Sequence, residues 1–244
     1  MNLNSNTDGS VKICCAQNEN IHLKKEDGTT YNLYEDDIED VWNSTHIKDI
    51  RKKLLNGEQI KECNVCWNVE NANKSYGGHD APTSTRLDSI KSYMEEDGIF
   101  SYHRQFIENN VLSTLGDGWG EESLKSLELR LGNHCNLACN MCWGYSSSKI
   151  NAERLHLLKS RDVDMPEWLF EMWYPSEYDI SKINMMWHEN PKFLENFKKI
   201  APTLKRLYVT GGEPSIIEAN TKIINHLIEI GNKECHISFT TNLT

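Results

Sequence analysis

The feature that most constrains this chain is a group of three cysteines, Cys135, Cys139 and Cys142, within a single short segment. Thiolates this close together are typical ligands of a soft metal ion or an iron–sulfur cluster. A structural zinc site and an ordinary electron-transfer cluster both take four protein ligands, so three cysteines leave one position open. His134 could complete a zinc site, although the sequence does not fix its direction. The spacing alone is compatible with either kind of site.

The same spacing would also place the three cysteines on one face of a helix, as small buried side chains. Gly132, Asn133, Asn136 and Asn140 make a helix here unfavourable. The preceding residues 126–131 have a strand-like pattern, and Gly132-Asn133 is typical of a turn. We therefore expect the cysteines to lie on an irregular loop that follows a strand.

The second half of the chain alternates strand and helix patterns. The predicted strands are residues 126–131, 206–210 and 236–241. Such alternation predicts an α/β fold with a parallel sheet. The second strand runs directly into Gly211-Gly212-Glu213-Pro214, and we expect a helix from Ser215, with Ser215 and Glu218 forming a capping box. Gly231 is expected to end that helix.

A long insertion, at about residues 146–203, separates the first two of these strands. Asn190 as the N-cap and Pro191 at the first position predict a helix over residues 191–200. The stretch before it is rich in aromatic residues: Trp168, Phe170, Trp173, Tyr174, Tyr178 and Trp187. We interpret them as packing within a helical insertion, with a substrate-binding wall as the alternative.

The pattern Cys135-x-x-x-Cys139-x-x-Cys142 after one strand, and Gly211-Gly212-Glu213-Pro214 after the next, resembles the radical SAM superfamily. The resemblance covers residues 124–244 and implies the first part of an incomplete (β/α)6 barrel. It implies that the cysteines bind three irons of a [4Fe–4S] cluster and that the fourth iron binds S-adenosylmethionine. Reduction of the cluster would then cleave S-adenosylmethionine to a 5′-deoxyadenosyl radical, which abstracts a hydrogen from a substrate.

The resemblance also implies a set of residues that contact S-adenosylmethionine: Met141, Gly211, Gly212, Glu213, Pro214 and Asn242. The two glycines would let the backbone approach the methionine moiety. The glutamate would accept a hydrogen bond from its ammonium group, and the proline would stiffen the exit of the loop. The methionine backbone would lie near the adenine. Both motifs stand at carboxyl ends of strands, where barrels place their active sites.

A second group of cysteines lies near the N-terminus: Cys14, Cys15, Cys63 and Cys66. A strand is predicted at residues 11–13 and a helix near residues 44–56, capped by Ser44 or Asn43. The segment from Asp8-Gly9 to Cys15, then Trp42-Asn43-Ser44, Arg51 and Cys63-x-x-Cys66, resembles the SPASM/Twitch auxiliary-cluster module. The resemblance implies that residues 1–86 form a small Cys-rich α+β module holding an auxiliary iron–sulfur cluster. One of the two adjacent cysteines would join the C-x-x-C pair as a ligand. A zinc knuckle is the alternative, because C-x-x-C occurs in both.

Residues 87–123 are expected to form a helical linker between these modules. The formal net charge of −10 argues against a nucleic-acid surface. We see neither a signal peptide nor an apolar run long enough to span a membrane, so we expect a cytoplasmic protein without a membrane partner. In that compartment cysteines are more often metal ligands than disulfides. The lone Cys235 is expected to be a buried core residue. Because the sequence ends just after a strand, we expect a barrel cut short.

The sequence thus favours a radical SAM enzyme, an oxidoreductase-type activity that uses a [4Fe–4S] cluster, S-adenosylmethionine and an auxiliary cluster. A reductant such as flavodoxin or ferredoxin is an expected partner. Enzymes that resemble this pair of modules often modify peptides or proteins, so a peptide or protein substrate is expected by analogy. The alternatives are a non-catalytic zinc-binding protein with two cysteine clusters and a thiol redox sensor.

Overall fold

The computed structural model describes residues 2–18, 20–76, 83–94, 124–160, 166, 168 and 182–243. Its strands are β1 (Leu3–Ser5), β2 (Val11–Lys12), β3 (Ser126–Arg130), β4 (Arg206–Thr210) and β5 (His236–Phe239). Its helices are α1 (Ile38–Trp42), α2 (Thr45–Leu55), α3 (Asn64–Tyr76), α4 (Thr85–Met94), α5 (Ser148–Ser160), α6 (Pro191–Ile200) and α7 (Glu218–Glu229). Short 3-10 turns occur at Lys61–Cys63, Trp187–Glu189, Ala201–Thr203 and Pro214–Ile216.

The chain divides into two compact units. The first, here called the cysteine-module unit, comprises Met1, Lys12–Tyr31 and Glu39–Ser123. The second, the sheet unit, comprises Asn2–Val11, Asn32–Ile38 and Leu124–Thr244. The predicted boundaries at residues 86 and 123 stay predictions. Much of the predicted linker, residues 95–123, lies outside the described residues, as does most of the aromatic stretch over residues 169–181.

The sheet has five strands in the order β2-β1-β3-β4-β5. Strand β3 pairs in parallel with β1 on one side and with β4 on the other, and β4 pairs in parallel with β5. The α/β class and the parallel arrangement of the three predicted strands are confirmed. The sheet also contains β1, which comes from the N-terminal segment and was not predicted as a strand. Closure into a partial barrel stays a prediction.

The two faces of the sheet differ because successive side chains of a strand point to opposite sides. On β3, Leu127 and Leu129 are fully buried, and they are in register with Leu207 and Val209 of β4. The alternate positions carry polar side chains, including Glu128, which is also buried. The apolar face belongs to the core of the sheet unit, whose other fully buried or nearly buried members are Leu3, Phe193, Phe197, Ile200, Ile223 and Leu227.

Helix α6 begins and ends where its sequence predicts. The Asn190 side chain accepts a hydrogen bond from the Lys192 N–H at 3.1 Å, and Pro191 occupies the first turn. The preceding Trp187 is fully buried, donates from Nε1 to the Thr7 carbonyl at 2.9 Å, and packs edge-on against Phe193 at 4.9 Å. For Trp187 the packing interpretation is therefore confirmed, whereas Trp168 is largely exposed.

The predicted capping box at the start of α7 is wrong. Residues Pro214–Ile216 form a separate 3-10 turn, and α7 starts only at Glu218, with Ile217 as an N-cap that makes no side-chain hydrogen bond. The turn is stabilised instead by Glu213, whose carboxylate accepts from the Ser215 N–H at 3.0 Å. Pro214 fixes its own backbone angle and favours this short turn. The helix ends before Gly231, which has a φ of 68°, as predicted.

The cysteine-module unit is built around α2 and α3. Ser44 caps α2 by accepting from the Ile47 N–H at 3.4 Å, which confirms the predicted N-terminus of this helix. Arg51 lies over the Trp42 ring at 4.3 Å and donates to the Trp42 carbonyl at 2.7 Å. Among the described residues, none of the helices has the length and apolar content needed to cross a bilayer.

Candidate functional site

The loop that carries Cys135, Cys139 and Cys142 is irregular, as expected, and follows β3 directly. Its two ends are held together by Asn133, whose side-chain amide donates to the Gly144 carbonyl at 2.9 Å. The Ser148 hydroxyl accepts from the Cys135 N–H at 3.1 Å, which fastens the middle of the loop to the start of α5. Polar side chains, rather than the backbone hydrogen bonds of a helix, therefore hold this loop in its irregular conformation.

The three thiols differ in exposure. Cys135 is buried, whereas Cys139 and Cys142 are half-buried. Burial raises the pKa of Cys142, and the neighbouring Cys139 and Cys135 raise it further, because adjacent thiolates repel each other. The three sulfurs are therefore electrostatic neighbours. In the part of the chain that the structure describes, no three His, Cys, Asp or Glu side chains are already arranged to hold a metal ion. The His134 side chain is exposed.

The glycine loop after β4 packs directly on the cysteine loop. The Gly212 N–H donates to the Gly132 carbonyl at 3.2 Å, and the Glu213 N–H donates to the His134 carbonyl at 2.8 Å. A Cβ atom on Gly212 would lie 2.0 Å from the His134 carbonyl oxygen, so only glycine fits there. Gly211 has a φ of 125°, a conformation that L-residues rarely adopt. The glycine loop and the cysteine loop, which follow adjacent parallel strands, are thus joined by backbone hydrogen bonds and pack in direct contact.

The Glu213 carboxylate lies inside this structure and is almost fully buried. It accepts hydrogen bonds from the Ser215 N–H at 3.0 Å, the Thr241 hydroxyl at 2.6 Å and the Asn242 N–H at 2.8 Å. Burial alone would raise the pKa of Glu213, but these hydrogen bonds outweigh it and lower the pKa to about 2. The carboxylate is therefore ionised at neutral pH and held at the carboxyl ends of two strands.

Asn242 joins the end of β5 to the cysteine loop. Its side-chain amide donates to the Asn136 side-chain oxygen at 2.9 Å, while its backbone N–H binds Glu213. Met141, at the tip of the cysteine loop, is 87% exposed. The residues that the sequence singled out in this half of the chain, Cys135, Cys139, Met141, Cys142, Gly211, Gly212, Glu213, Pro214 and Asn242, all stand at the carboxyl edge of the sheet or on the loops there. Thr241 belongs to the same network and was missed, because a lone threonine after a strand carries no motif.

A groove with a volume of about 560 Å³ adjoins this edge. Its walls include His134, His188, Phe193, Ile216 and Lys222. His188 is 7% exposed, and neither ring nitrogen has a hydrogen-bond partner among the described residues. Burial lowers the pKa of His188 and so favours its neutral ring. No sequence signal indicates His188, because it lies in an insertion without a recognisable motif.

The N-terminal cysteines occupy different local environments. Cys63 ends a 3-10 turn and is half-buried, and Cys66 lies buried in the first turn of α3. Burial, and then the nearby Cys66, raise the pKa of Cys63 to about 11. Cys14 is half-buried and accepts from the Ala16 N–H at 3.4 Å, whereas Cys15 is exposed. Cys235 is half-buried, so the expectation that it is a buried core residue is wrong. Its partial burial raises the pKa of Cys235 to about 11.

Comparison with known families identifies the segment that contains these cysteines. Residues 2–67 match the SPASM iron–sulfur cluster-binding domain. The SPASM match contains all four N-terminal cysteines, and domains of this kind bind auxiliary iron–sulfur clusters in radical SAM enzymes. Searches of curated proteins and of solved structures found no match to this chain. The expected auxiliary-cluster module is thus confirmed at the level of the domain, and its individual ligands stay predictions.

Proposed function

We propose that this chain is a radical SAM enzyme in which Cys135, Cys139 and Cys142 bind a [4Fe–4S] cluster and the loop Gly211-Gly212-Glu213-Pro214 binds S-adenosylmethionine. The observation that carries the proposal is the close packing of the glycine loop on the cysteine loop, with backbone hydrogen bonds of 3.2 and 2.8 Å. A zinc-binding staple needs no such second loop. The SPASM match also supports the proposal of a radical SAM enzyme, because domains of this kind accompany such enzymes.

The sulfur atoms of the cysteine loop fit an iron–sulfur cluster by their chemistry. Three neighbouring thiols are soft donors, and the pKa of Cys142 is raised by burial and by the other two. Thiols of this kind bind iron as thiolates, so cluster binding releases their protons and removes the mutual repulsion. The half-buried positions of Cys139 and Cys142 leave the loop open toward solvent for assembly of the cluster.

The Glu213 carboxylate fits the ammonium group of S-adenosylmethionine. Hydrogen bonds from the Ser215 N–H, the Thr241 hydroxyl and the Asn242 N–H hold the carboxylate in a fixed orientation. The low pKa keeps the group negatively charged for a cationic partner. When bound, the reduced cluster supplies the electron that cleaves the sulfonium of S-adenosylmethionine. The chain orients the carboxylate through Thr241 and Asn242, and Gly212 lets the backbone lie close to the cysteine loop.

The proposal assigns the auxiliary cluster to Cys63, Cys66 and either Cys14 or Cys15. It also includes a peptide or protein as the substrate and a flavodoxin or ferredoxin as the electron donor, by analogy with enzymes that combine these modules. Met141 and Asn242 are proposed to lie against S-adenosylmethionine, because both are at the carboxyl edge of the sheet.

Anaerobic purification followed by iron and sulfide analysis tests this proposal. We expect iron and sulfide in the wild-type chain, and release of 5′-deoxyadenosine after addition of dithionite and S-adenosylmethionine. Cys139→Ala should abolish the release. Cys235→Ala is the matched control, since it removes a half-buried thiol outside both cysteine groups, and it should keep full release. Stoichiometric zinc with almost no iron would instead establish the zinc-binding alternative.

A further inference from the structure

An ion pair with a buried carboxylate and a half-buried guanidinium lies next to the C-x-x-C of the SPASM segment. Arg86 of α4 donates from Nε to Glu70 of α3 at 3.1 Å and makes a second, short contact with the other carboxylate oxygen. The Ser84 hydroxyl donates to the same carboxylate at 2.5 Å. Glu70 is 9% exposed, so this pair is more strongly shielded from solvent than an ordinary surface ion pair.

The pair is held in place by an aromatic ring. The Arg86 guanidinium lies 4.0 Å from the centre of the Trp67 ring, and Trp67 directly follows Cys66. A guanidinium that stacks on a ring and binds a carboxylate with two nitrogens has little freedom to move. Its charge therefore stays at a fixed position beside the cysteines.

The ion pair also lies close to the C-x-x-C along helix α3, because Glu70 and Cys66 belong to the same helix. On α3, Glu70 follows Cys66 by one helical turn, which places the two residues on the same face.

Trp67 offers a further interaction. Its indole N–H is buried and has no acceptor among the described residues. Buried donors of this kind are normally satisfied. A thiolate or cluster sulfur is an acceptor, and hydrogen bonds to sulfur are among the factors that set the potential of iron–sulfur clusters.

We propose that the charges of Arg86 and Glu70 set the reduction potential of the auxiliary cluster, and that the Trp67 ring fixes the position of Arg86. This inference rests on the proposed assignment of Cys63 and Cys66 as cluster ligands. A fixed positive charge stabilises the reduced, more negative cluster, and a fixed negative charge opposes reduction. Arg86 therefore raises the reduction potential of the cluster, and Glu70 lowers it.

The experiment uses the whole chain of 244 residues with Cys135, Cys139 and Cys142 replaced by alanine, so that only the auxiliary cluster is reconstituted. Dithionite supplies one electron to the cluster, no covalent bond changes, and the reduced fraction is followed by EPR at controlled potentials. Arg86→Gln should lower the ratio of reduced to oxidised cluster at a fixed potential roughly tenfold, which is about 59 mV for one electron. Glu70→Gln should shift the potential in the opposite direction, and the double variant should lie near the parent.

Two controls separate charge from structure. Arg86→Lys keeps the charge and should stay near the parent potential, even though it loses the two-nitrogen contact. Lys91→Gln removes an exposed positive charge from the same helix and should have little effect.

Trp67→Phe keeps the ring and removes the indole N–H, and it should shift the potential in the same direction as Arg86→Gln.

The outcomes distinguish this inference from the proposed function. Shifts of the same sign in Arg86→Gln, Glu70→Gln and the double variant would mean that loosening of α3 and α4, rather than charge, moves the potential, and the inference would be wrong. An intact cluster whose potential is unchanged in all variants would overturn the inference and leave the auxiliary cluster standing. Absence of iron from the parent would overturn both the inference and the assignment of the auxiliary cluster, and would leave the cluster at Cys135, Cys139 and Cys142 to its own test.

Discussion

Substitution of Gly212 by alanine tests whether the glycine loop and the cysteine loop form one structure. The added Cβ would lie 2.0 Å from the His134 carbonyl oxygen and 2.6 Å from the Asn133 carbonyl carbon. Both contacts are with backbone, so no side-chain rotation can relieve them. Gly212 does not have a positive φ, and the expected effect is therefore purely steric.

The magnitude follows from the contacts that must break. The loops can accommodate the methyl group only by moving apart, which removes the hydrogen bonds from Gly212 to Gly132 and from Glu213 to His134. Each such bond contributes about 1 kcal/mol net. Residual overpacking adds about 1–3 kcal/mol. We expect the free energy of unfolding to fall by about 3–5 kcal/mol, and the melting temperature to fall by roughly 6–20 °C for a chain of this size.

Urea and thermal unfolding followed by far-UV circular dichroism measure this loss. Hydrogen exchange of the Gly212 and Glu213 amides locates it, because these two groups donate the bonds in question. Gly231→Ala is the matched control: Gly231 has a φ of 68°, and no described atom lies within 4 Å of the added Cβ, so only backbone strain of about 1 kcal/mol is expected. If Gly212→Ala were no less stable than Gly231→Ala, the close approach of the two loops would be refuted.

Three further substitutions have defined expectations. The pKa of Glu213 is lowered from 4.5 to about 2, so the ionised carboxylate contributes roughly 3 kcal/mol of stability above pH 4.5. This contribution is lost as the pH falls toward 2. In Glu213→Gln the unfolding free energy, measured by urea titrations at a series of pH values, should therefore change less between pH 4.5 and pH 2. Trp187→Ala should lower the unfolding free energy by about 3–5 kcal/mol, because the ring is fully buried. Asn190→Ala removes the cap of α6 and should cost about 1 kcal/mol by the same measurement, and a loss near that of Trp187→Ala would contradict a simple capping role.

The elements that the sequence predicts well are those with local causes. Helix α6 starts at Asn190-Pro191 and α2 starts after Ser44, because a cap acts on backbone groups two or three residues away. The cysteine loop is irregular because glycine and asparagine disfavour a helix within the same segment. The contact between the two motifs was predictable in a coarser sense, since carboxyl ends of neighbouring parallel strands meet at one edge.

What the sequence could not predict depends on residues distant in the chain or on competing local bonds. The start of α7 was misplaced because Glu213 binds Ser215, a bond that competes with the predicted capping box. Thr241 and His188 acquire their positions only when separate segments pack together. Arg86 is similar: its stacking on Trp67 joins two helices whose patterns say nothing about each other.

Strand β1 has a consequence for how the protein is made. Leu3 pairs with Leu127, more than a hundred residues later in the chain. At translation rates of roughly 5–20 residues per second, the N-terminal strand leaves the ribosome several seconds before its partner exists. During that interval its backbone donors and acceptors have no sheet to join. Removing the first ten residues, or fusing a rigid tag to them, would therefore change the sheet unit itself and leave an edge of β3 open to intermolecular pairing.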